Sequence, residues 1–310
     1  MMDRSKIKIK QSFIDHFSEL TNYDEFIKAS LEYLRRSVRI NTLKMSVKEC
    51  KARLEKLGWT LTQVPWCKEG FWVEHKTGRR DIGNTIEHAL GYFYVQEAAS
   101  MIPPVVLDVG KNEKILDMCA SPGSKASQIS QYMENTGALI ANDYKGMRLA
   151  PLGINMQRIG STNSALTVMH GQWFKDMEFD RVLVDAPCSG TGTIAKSLKT
   201  LDIWNPHMIS KLANQQKKLL LAGWNVLKKG GVLVYSTCSV EPQENEGVVS
   251  WLLNEVDDAT VEDIKLDIVK GEPIMAYKDE TYHKDVAKTL RLWPQNNMTE
   301  GFFVCKLKKG

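Results

Sequence analysis

From residue 114 onward, short apolar runs alternate with helix-patterned stretches. KILDM (114–118), GALIAND (137–143), SALTVMH (164–170), RVLVDA (181–186) and GVLVYST (231–237) are separated by segments such as SKASQISQYM and PHMISKLANQQKKLLLAGWNVLKK. The runs are too short for helices and lack the polar alternation of a half-solvated strand, which predicts strands buried on both faces. Such strands joined by helices make a parallel sheet with helices on both sides, an α/β domain. Open α/β sheets bind ligands in the crevice outside the carboxyl ends of their strands. Asp117 and Cys119, Asp143, His170, Asp185 with Cys188, and Cys238 all fall at or just past such an end.

The preceding hundred residues read differently. Phe13, Ile14, Phe17, Leu20, Phe26, Leu31 and Leu34 recur near helical spacing, predicting helix over 11–36. SVRINTLK (37–44) alternates like a strand, with Val38, Ile40 and Thr42 on one face. Residues 46–57 suit a helix stopped by Gly58, and GWTLTQVPW and EGFWVEH suit short strands. Residues 1–100 are therefore expected to form a small α+β module. LRLWPQ (290–295) and GFFVCKLKK (301–309) suit a late pair of strands.

Several function classes drop out on composition. No run of 18 or more apolar residues is present, which argues against a membrane-spanning helix. The opening MMDRSKIKIKQSF has charge but no apolar core, so it does not read as a signal peptide. Six cysteines (50, 67, 119, 188, 238, 305) lack C-x-x-C pairs, which argues against zinc and against a disulfide framework. A reduced, cytoplasmic protein without a metal is expected. Net charge is +4, unevenly spread: residues 1–60 carry 13 Lys and Arg against 8 Asp and Glu, and residues 241–270 carry 2 against 9. A basic surface excluding the second segment would suit a polyanion.

ILDMCASPGSKASQIS (115–130) reads as strand, turn and helix. Gly123 lets the backbone approach a ligand, Ser124 is placed to cap the helix, and a helix N-terminus presents N–H groups to an anionic group. Asp143, at the end of the second strand, can accept from ribose hydroxyls. An ordinary tight turn and a capping aspartate would read the same. The fingerprint G-x-G-x-x-G is absent, which disfavours a dinucleotide. One glycine in a roomier turn, preceded by Asp117, suits a cofactor without a pyrophosphate, whose cationic methionyl end Asp117 would meet. Cys188 and Cys238 lie in Gly/Ser/Thr/Pro-rich loops beyond neighbouring runs, at one sheet edge. A single such cysteine usually reads as a buried small hydrophobe; two make chemistry the better reading.

These residues resemble a known family. D-x-C-A-x-P-G-x-K (Asp117 to Lys125), D-A-P-C-S-G-T-G (Asp185 to Gly192) and Y-S-T-C-S (Tyr235 to Ser239), followed by E-x-x-E-N-E (Glu241 to Glu246), are similar to the Sun/RsmF-type RNA cytosine-5 methyltransferases, above all their bacterial small-subunit ribosomal RNA branch. S-V-R-I-N-T-L-K, P-W-C-x-E-G-F-W, E-H-A-L-G-Y-F-Y-V-Q-E-A-A-S-M and E-G-F-F-V extend the likeness over nearly the whole chain. The resemblance implies a Rossmann-like, seven-stranded sheet over residues 101–310, S-adenosylmethionine as methyl donor, and RNA contact by residues 1–100. It places cofactor contacts on Cys119, Ala120, Ser121, Pro122, Gly123, Ser124 and Lys125, and on Asp143, Arg148, His170 and Asp185.

The resemblance also makes Cys238 the nucleophile and gives Cys188 the release step; DNA cytosine-5 methyltransferases attack with the Pro-Cys thiol instead. A thiolate adding at C6 turns C5 of cytosine into an enamine-like nucleophile toward a sulfonium methyl. Asp185, protonated or sharing a proton, stabilises charge on the ring through N3, and Lys125 adds positive potential near the thiols. The base must leave its stack to be reached.

The chain departs from the family at His170, where relatives carry an adenine-contacting Asp, at Lys196-Ser-Leu-Lys199, which lacks Pro-Asp, and at Gln295, where many have His. Larger relatives continue into an RNA-binding region, so RNA contact is expected through residues 1–100 and the catalytic face. Arg35, Arg36, Arg39 and Lys44 are candidates for phosphate contact. Trp66, Trp72, Tyr92 and Tyr94 are expected mainly in the core, with base stacking as the alternative. The expected substrate is 16S ribosomal RNA, with or without its subunit proteins, then transfer RNA; the expected enzyme is a monomer. A non-catalytic RNA-binding factor and a nucleotide-dependent oxidoreductase are the rival classes.

Overall fold

The computed structural model describes residues 7–310, so the opening half of MMDRSKIKIKQSF lies outside the described residues. The helix expected over 11–36 is two helices, α1 (Gln11–Leu20) and α2 (Tyr23–Leu31). Asn22 parts them: its side chain accepts from the Glu25 N–H, satisfying a donor that a continuous helix would bond internally. Phe13, Phe17 and Phe26 pack against Ile194, Leu201, Trp204 and Trp293 from the later part of the chain.

Strands β1 (Arg36–Ile40), β2 (Trp59–Gln63), β3 (Gly70–His75) and β4 (Phe93–Val95) form an antiparallel sheet in the order β2-β3-β1-β4. Helix α3 (Val47–Lys56) covers it, started by a capping box between Ser46 and Glu49. Cys50 and Leu54 pack on Val38, Ile40 and Phe93. Thr42 does not extend the β1 face. Asn41 donates to Gly91 O and Ile159 O, each at 2.8 Å, and accepts from the Leu43 N–H, which turns the chain two residues early. Short helix α4 (Ile86–Ala89) leads into β4.

The second sheet follows α5 (Ile102–Leu107). Its strands are β5 (Lys114–Asp117), β6 (Ala138–Asp143), β7 (Ser164–Val168), β8 (Phe179–Asp185), β9 (Leu227–Thr237) and β10 (Ala259–Glu262); a hairpin, β11 (Ala276–Tyr277) and β12 (Glu280–Thr281), precedes β13 (Leu290–Leu292) and β14 (Phe302–Lys309). Connecting helices are α6 (Ser124–Tyr132), α7 (Gly146–Ile159), α8 (Lys199–Ile203), α9 (Pro206–Asn225), α10 (Glu246–Glu255) and α11 (Pro294–Asn297). The order β10-β14-β9-β8-β5-β6-β7 gives the expected seven strands, and β13 pairs with the first half of β14 as an eighth. β5 to β9 are parallel, and β14 runs antiparallel beside β9.

Side chains alternate across this sheet as strand geometry requires. Ile115, Leu183, Val232 and Val234 face Ile102, Leu107, Ile129 and Met156. Leu116, Val182, Val184 and Leu233 face Leu220, Trp224, Val249 and Leu252. Each such fully buried residue contributes about 1.5–3 kcal/mol before entropy is set against it. From β5 the chain runs outward through β6 and β7, then returns to β8 on the other side of β5. This reversal opens a crevice at the carboxyl ends of β5 and β8.

Candidate active site

The turn after β5 is built around the crevice. Gly123 has φ +105°, and a Cβ there would come within 3.1 Å of Leu152 Cδ1. It is Gly123, not Ser124, that precedes the helix; Ser124 is the first residue of α6, and its carbonyl accepts from Arg39 and from Ser127. The chain needs a left-handed residue to enter α6, and serine tolerates that conformation poorly. The turn is tied on both sides: the Ala120 N–H donates to Asn142 O at 2.7 Å, Ser121 exchanges hydrogen bonds with Arg148, and Pro122 O accepts from Asn155.

Asp143 is buried at the end of β6, and Arg148 reaches its Oδ2 at 3.3 Å. His170 stands past the end of β7, its ring 4.5 Å from that of Trp173 and 5.8 Å from that of Tyr144. Cys119, Tyr144, His170, Pro187, Gln215 and Leu219 line a narrow cleft. Burial and the adjacent Asp117 push the Cys119 thiol well above its usual range, so Cys119 stays neutral.

Asp117 is fully buried at the floor of the crevice. Its Oδ1 accepts from the Cys119 N–H, while Oδ2 has no hydrogen-bond partner. Burial first, and repulsion from Asp185 second, raise its pKa to about 7. An orphaned buried carboxylate oxygen calls for a cationic donor. This is the feature that fits the methionyl ammonium of S-adenosylmethionine.

The thiols meet. Cys188 Sγ and Cys238 Sγ are 3.1 Å apart, and both cysteines are free. Strands β8 and β9 are neighbours in parallel register, Asp185 opposite Ser236, so their following loops share one edge. Lys125 Nζ donates to Asp185 Oδ2 at 2.8 Å, and Ser236 Oγ donates to Oδ1 at the same distance. Burial works against the Lys125 ammonium, but the charge and hydrogen bond of Asp185, with a further contribution from Cys238, outweigh it and raise the pKa. Lys125 is a cation in the site, also 5.3 Å from the Phe302 ring centroid.

Gly192 locks the two cysteine loops together. Its N–H donates to Cys238 O at 3.0 Å, and its carbonyl accepts from Gly301. A Cβ at Gly192 would lie 2.1 Å from Gly301 O, backbone that cannot step aside. Gly192→Ala is expected to cost about 2–3 kcal/mol of stability, read by urea denaturation. It should also slow turnover more than tenfold at temperatures where the variant is folded, because the loops must part.

Other sequence expectations fared unevenly. Arg39 is not a phosphate contact: it is wholly buried, bonded to Gln96, Gln131, Ser127 and Ser124 O, and joins the β1 sheet to α6. Lys44 donates to Leu90 O and Arg158 O. Arg35 pairs with Glu74 at 3.1 Å, and Arg36 is exposed. Trp66 and Tyr94 are core residues. Lys196 sits 2.6 Å from Glu300. Beside this pair, burial first and Glu300 second raise Glu97 to about 7. Gln295 donates to Thr21. Glu241, Glu244 and Glu246 are fully buried, so the acidic count of residues 241–270 overstates what solvent sees.

A switch-point crevice with a Gly turn after β5, an acid after β6 and a thiol pair over β8 and β9 defines a Rossmann-like methyltransferase. The chain belongs to the 16S rRNA methyltransferase RsmB/F family, whose model matches residues 104–308; the model of the N-terminal domain of 16S rRNA methyltransferase RsmF matches residues 9–98. It is an enzyme that takes S-adenosylmethionine as methyl donor. The chain is 45% identical to the tRNA (cytosine(49)-C(5))-methyltransferase of Pyrococcus abyssi, over 97% of each chain. It is 40% identical to the ribosomal RNA small subunit methyltransferase F of Aeromonas salmonicida, over 96% of this chain but 63% of that protein. The chain thus spans about three-fifths of the length of such relatives. The crystal structure of a methyltransferase homolog protein from Pyrococcus horikoshii superposes with a TM-score of 0.82 at 35% identity, covering 97% of this chain and all of that one. Among the described residues, no helix is long and apolar enough to cross a membrane.

Proposed function

We propose that this chain methylates C5 of cytosine in RNA through a covalent bond between Cys238 and C6 of the base. The observation that carries this reading is the Cys188–Cys238 approach at 3.1 Å beside the Lys125–Asp185 pair. When bound, S-adenosylmethionine supplies an electrophilic methyl group. Cys238 attacks C6 as the thiolate; Asp185, sharing the proton of its hydrogen bond with the Lys125 ammonium, meets the ring N3 and offsets the charge developing there; Cys188 assists loss of the C5 proton and release of the thiol. Asp117, Asp143, Arg148, His170 and the turn from Cys119 to Lys125 hold the cofactor, with Asp117 Oδ2 taking the ammonium.

The state of Asp117 gives binding a pH dependence. A carboxyl whose pKa is raised by folding keeps its proton in the folded state while the unfolded chain ionises. The unliganded protein therefore loses stability as pH rises from the ordinary carboxyl range to about 7. An ammonium prefers the ionised form, so cofactor affinity is expected to rise about tenfold between pH 5.5 and 7, below the range where an α-amine itself deprotonates. Isothermal titration calorimetry should show this, and Asp117→Asn should bind more weakly with a flat profile.

Residues 1–100 act as the RNA-binding module beside a catalytic domain of residues 101–310, in a cytoplasmic monomer. Small-subunit ribosomal RNA is the first substrate, as in the methyltransferase F relatives. Transfer RNA is the second reading, favoured by the 45% identity and near-complete mutual coverage with the archaeal enzyme. Labelled S-adenosylmethionine with ribosomal subunits, naked ribosomal RNA and transfer RNA in separate reactions, followed by nucleoside mass spectrometry, decides between them. Labelled 5-methylcytidine is expected in one; its absence from all three, with cofactor binding intact, would contradict the reading.

A further inference from the structure

Both thiols are half-buried at the end of the same sheet, so position alone does not make them unequal. Their surroundings do. The site also holds a cation, Lys125, which is bonded to Asp185 and whose ammonium Cys238 helps to favour. Against Ser189, the residue after Cys188, stands an acid whose pKa burial raises while hydrogen bonds from Ser189, Ser239 and Gln216 hold that rise down. Glu244 is fully buried, and its carboxylate takes four donors from three segments: the Ser189 N–H at 2.9 Å, the Ser189 hydroxyl, the Ser239 hydroxyl at 2.6 Å and Gln216 Nε2 at 2.9 Å. Ser189 and Ser239 each directly follow one of the two cysteines. Their hydroxyls are 3.0 Å apart.

We propose that Glu244 is the positioning residue of the thiol pair: it clamps the residues that follow both cysteines and sets a buried acid against the Cys188 loop, so that Cys238 rather than Cys188 attacks. The division of labour then follows from placement. Glu244 takes both the N–H and the hydroxyl of Ser189 but only the hydroxyl of Ser239, so its charge bears more on the Cys188 loop than on the Cys238 loop. Cys188 is pushed well up chiefly by its hydrogen bond with Cys238, then by burial and the charge of Cys238, with Glu244 adding a smaller repulsion. Tyr235, buried under the same loop and donating to Glu244 O at 2.5 Å, is itself pushed up by burial and then by Glu244, so it stays neutral.

The inference rests on the reading of Cys238 as nucleophile, but its test needs neither RNA nor cofactor. Alkylation by iodoacetamide consumes the thiolate, displaces iodide and can be followed cysteine by cysteine by peptide mass spectrometry. In the unaltered protein Cys188 is expected to react more slowly than Cys238. Glu244→Gln keeps shape and lets the two serine hydroxyls turn to serve the amide, while removing the charge. It should speed Cys188 alkylation about tenfold, one unit of thiol pKa, and leave Cys238 within about twofold. Glu244→Asp keeps the charge and withdraws the clamp, so Cys188 should stay slow while kcat falls with KM little changed. A folded Glu244→Gln whose Cys188 reacts at the original rate would overturn the proposal. If that variant does not fold, a Cys188 that outpaces Cys238 in the unaltered protein overturns it equally. Failure of Cys238→Ala to abolish turnover would instead count against the nucleophile assignment, leaving the alkylation contrast standing.

Discussion

Cys238→Ala is expected to abolish methyl transfer, by at least about a thousandfold, without trapping RNA, whereas Cys188→Ala should accumulate a covalent protein–RNA adduct. The geometry separates the two outcomes. On the proposed roles, removing Cys238 leaves no group to add to C6. Cys188 lies 3.1 Å from Cys238, and the residue after it is held by Glu244. Without Cys188, addition and methyl transfer proceed while elimination stalls. Denaturing gel electrophoresis with labelled RNA reads the adduct directly. Trapping by Cys238→Ala in place of Cys188→Ala would reverse the roles.

The largest expected loss of stability lies at Arg291. Its guanidinium grips Glu246 twice, at 2.7 and 2.5 Å, and donates to Val240 O at 2.8 Å, with neither side chain exposed. Arg291→Met leaves a carboxylate buried without its counter-charge, which costs about 3–5 kcal/mol. Replacing both partners with apolar residues of similar size should cost much less, since the desolvation penalty leaves with the charges. Urea denaturation of Arg291→Met, Glu246→Leu and the double variant would show a strong coupling. Independent, additive losses would mean the pair matters only through packing. Val240 lies two residues beyond Cys238, so the same contact steadies the Cys238 loop.

The parallel sheet and its crevice were legible because they rest on period and strand-end chemistry. Asp117, Asp185, Cys188 and Cys238 each follow an apolar run that cannot be a helix, and the sheet brings those ends together. Arg39 misled for a physical reason. On β1 it alternates with Val38 and Ile40, the pattern of a solvated face. That face is instead pressed against α6, whose Ser127 and Gln131 side chains supply the acceptors. Alternation reveals which residues share a face, not what covers it. Glu241, Glu244 and Glu246 misled likewise: an acidic cluster ordinarily faces water, but each of these finds donors from distant segments, Trp204 and His16 for Glu241, Ser189 and Gln216 for Glu244, Arg291 for Glu246. The break at Asn22 and the start of α6 at Gly123 depend on single side chains and single dihedral angles, below the resolution of periodicity.

Covalent attack by Cys238 is tested most directly with RNA carrying 5-fluorocytidine at its cytosines. After addition at C6 and methyl transfer, fluorine in place of the C5 proton prevents elimination, so the bond to the nucleophile persists in the unaltered protein. Proteolysis and mass spectrometry then locate the nucleotide. Its attachment to the peptide carrying Cys238 is the predicted result. Attachment to the peptide carrying Cys188, or no adduct from a preparation that makes 5-methylcytidine in ordinary RNA, would contradict it.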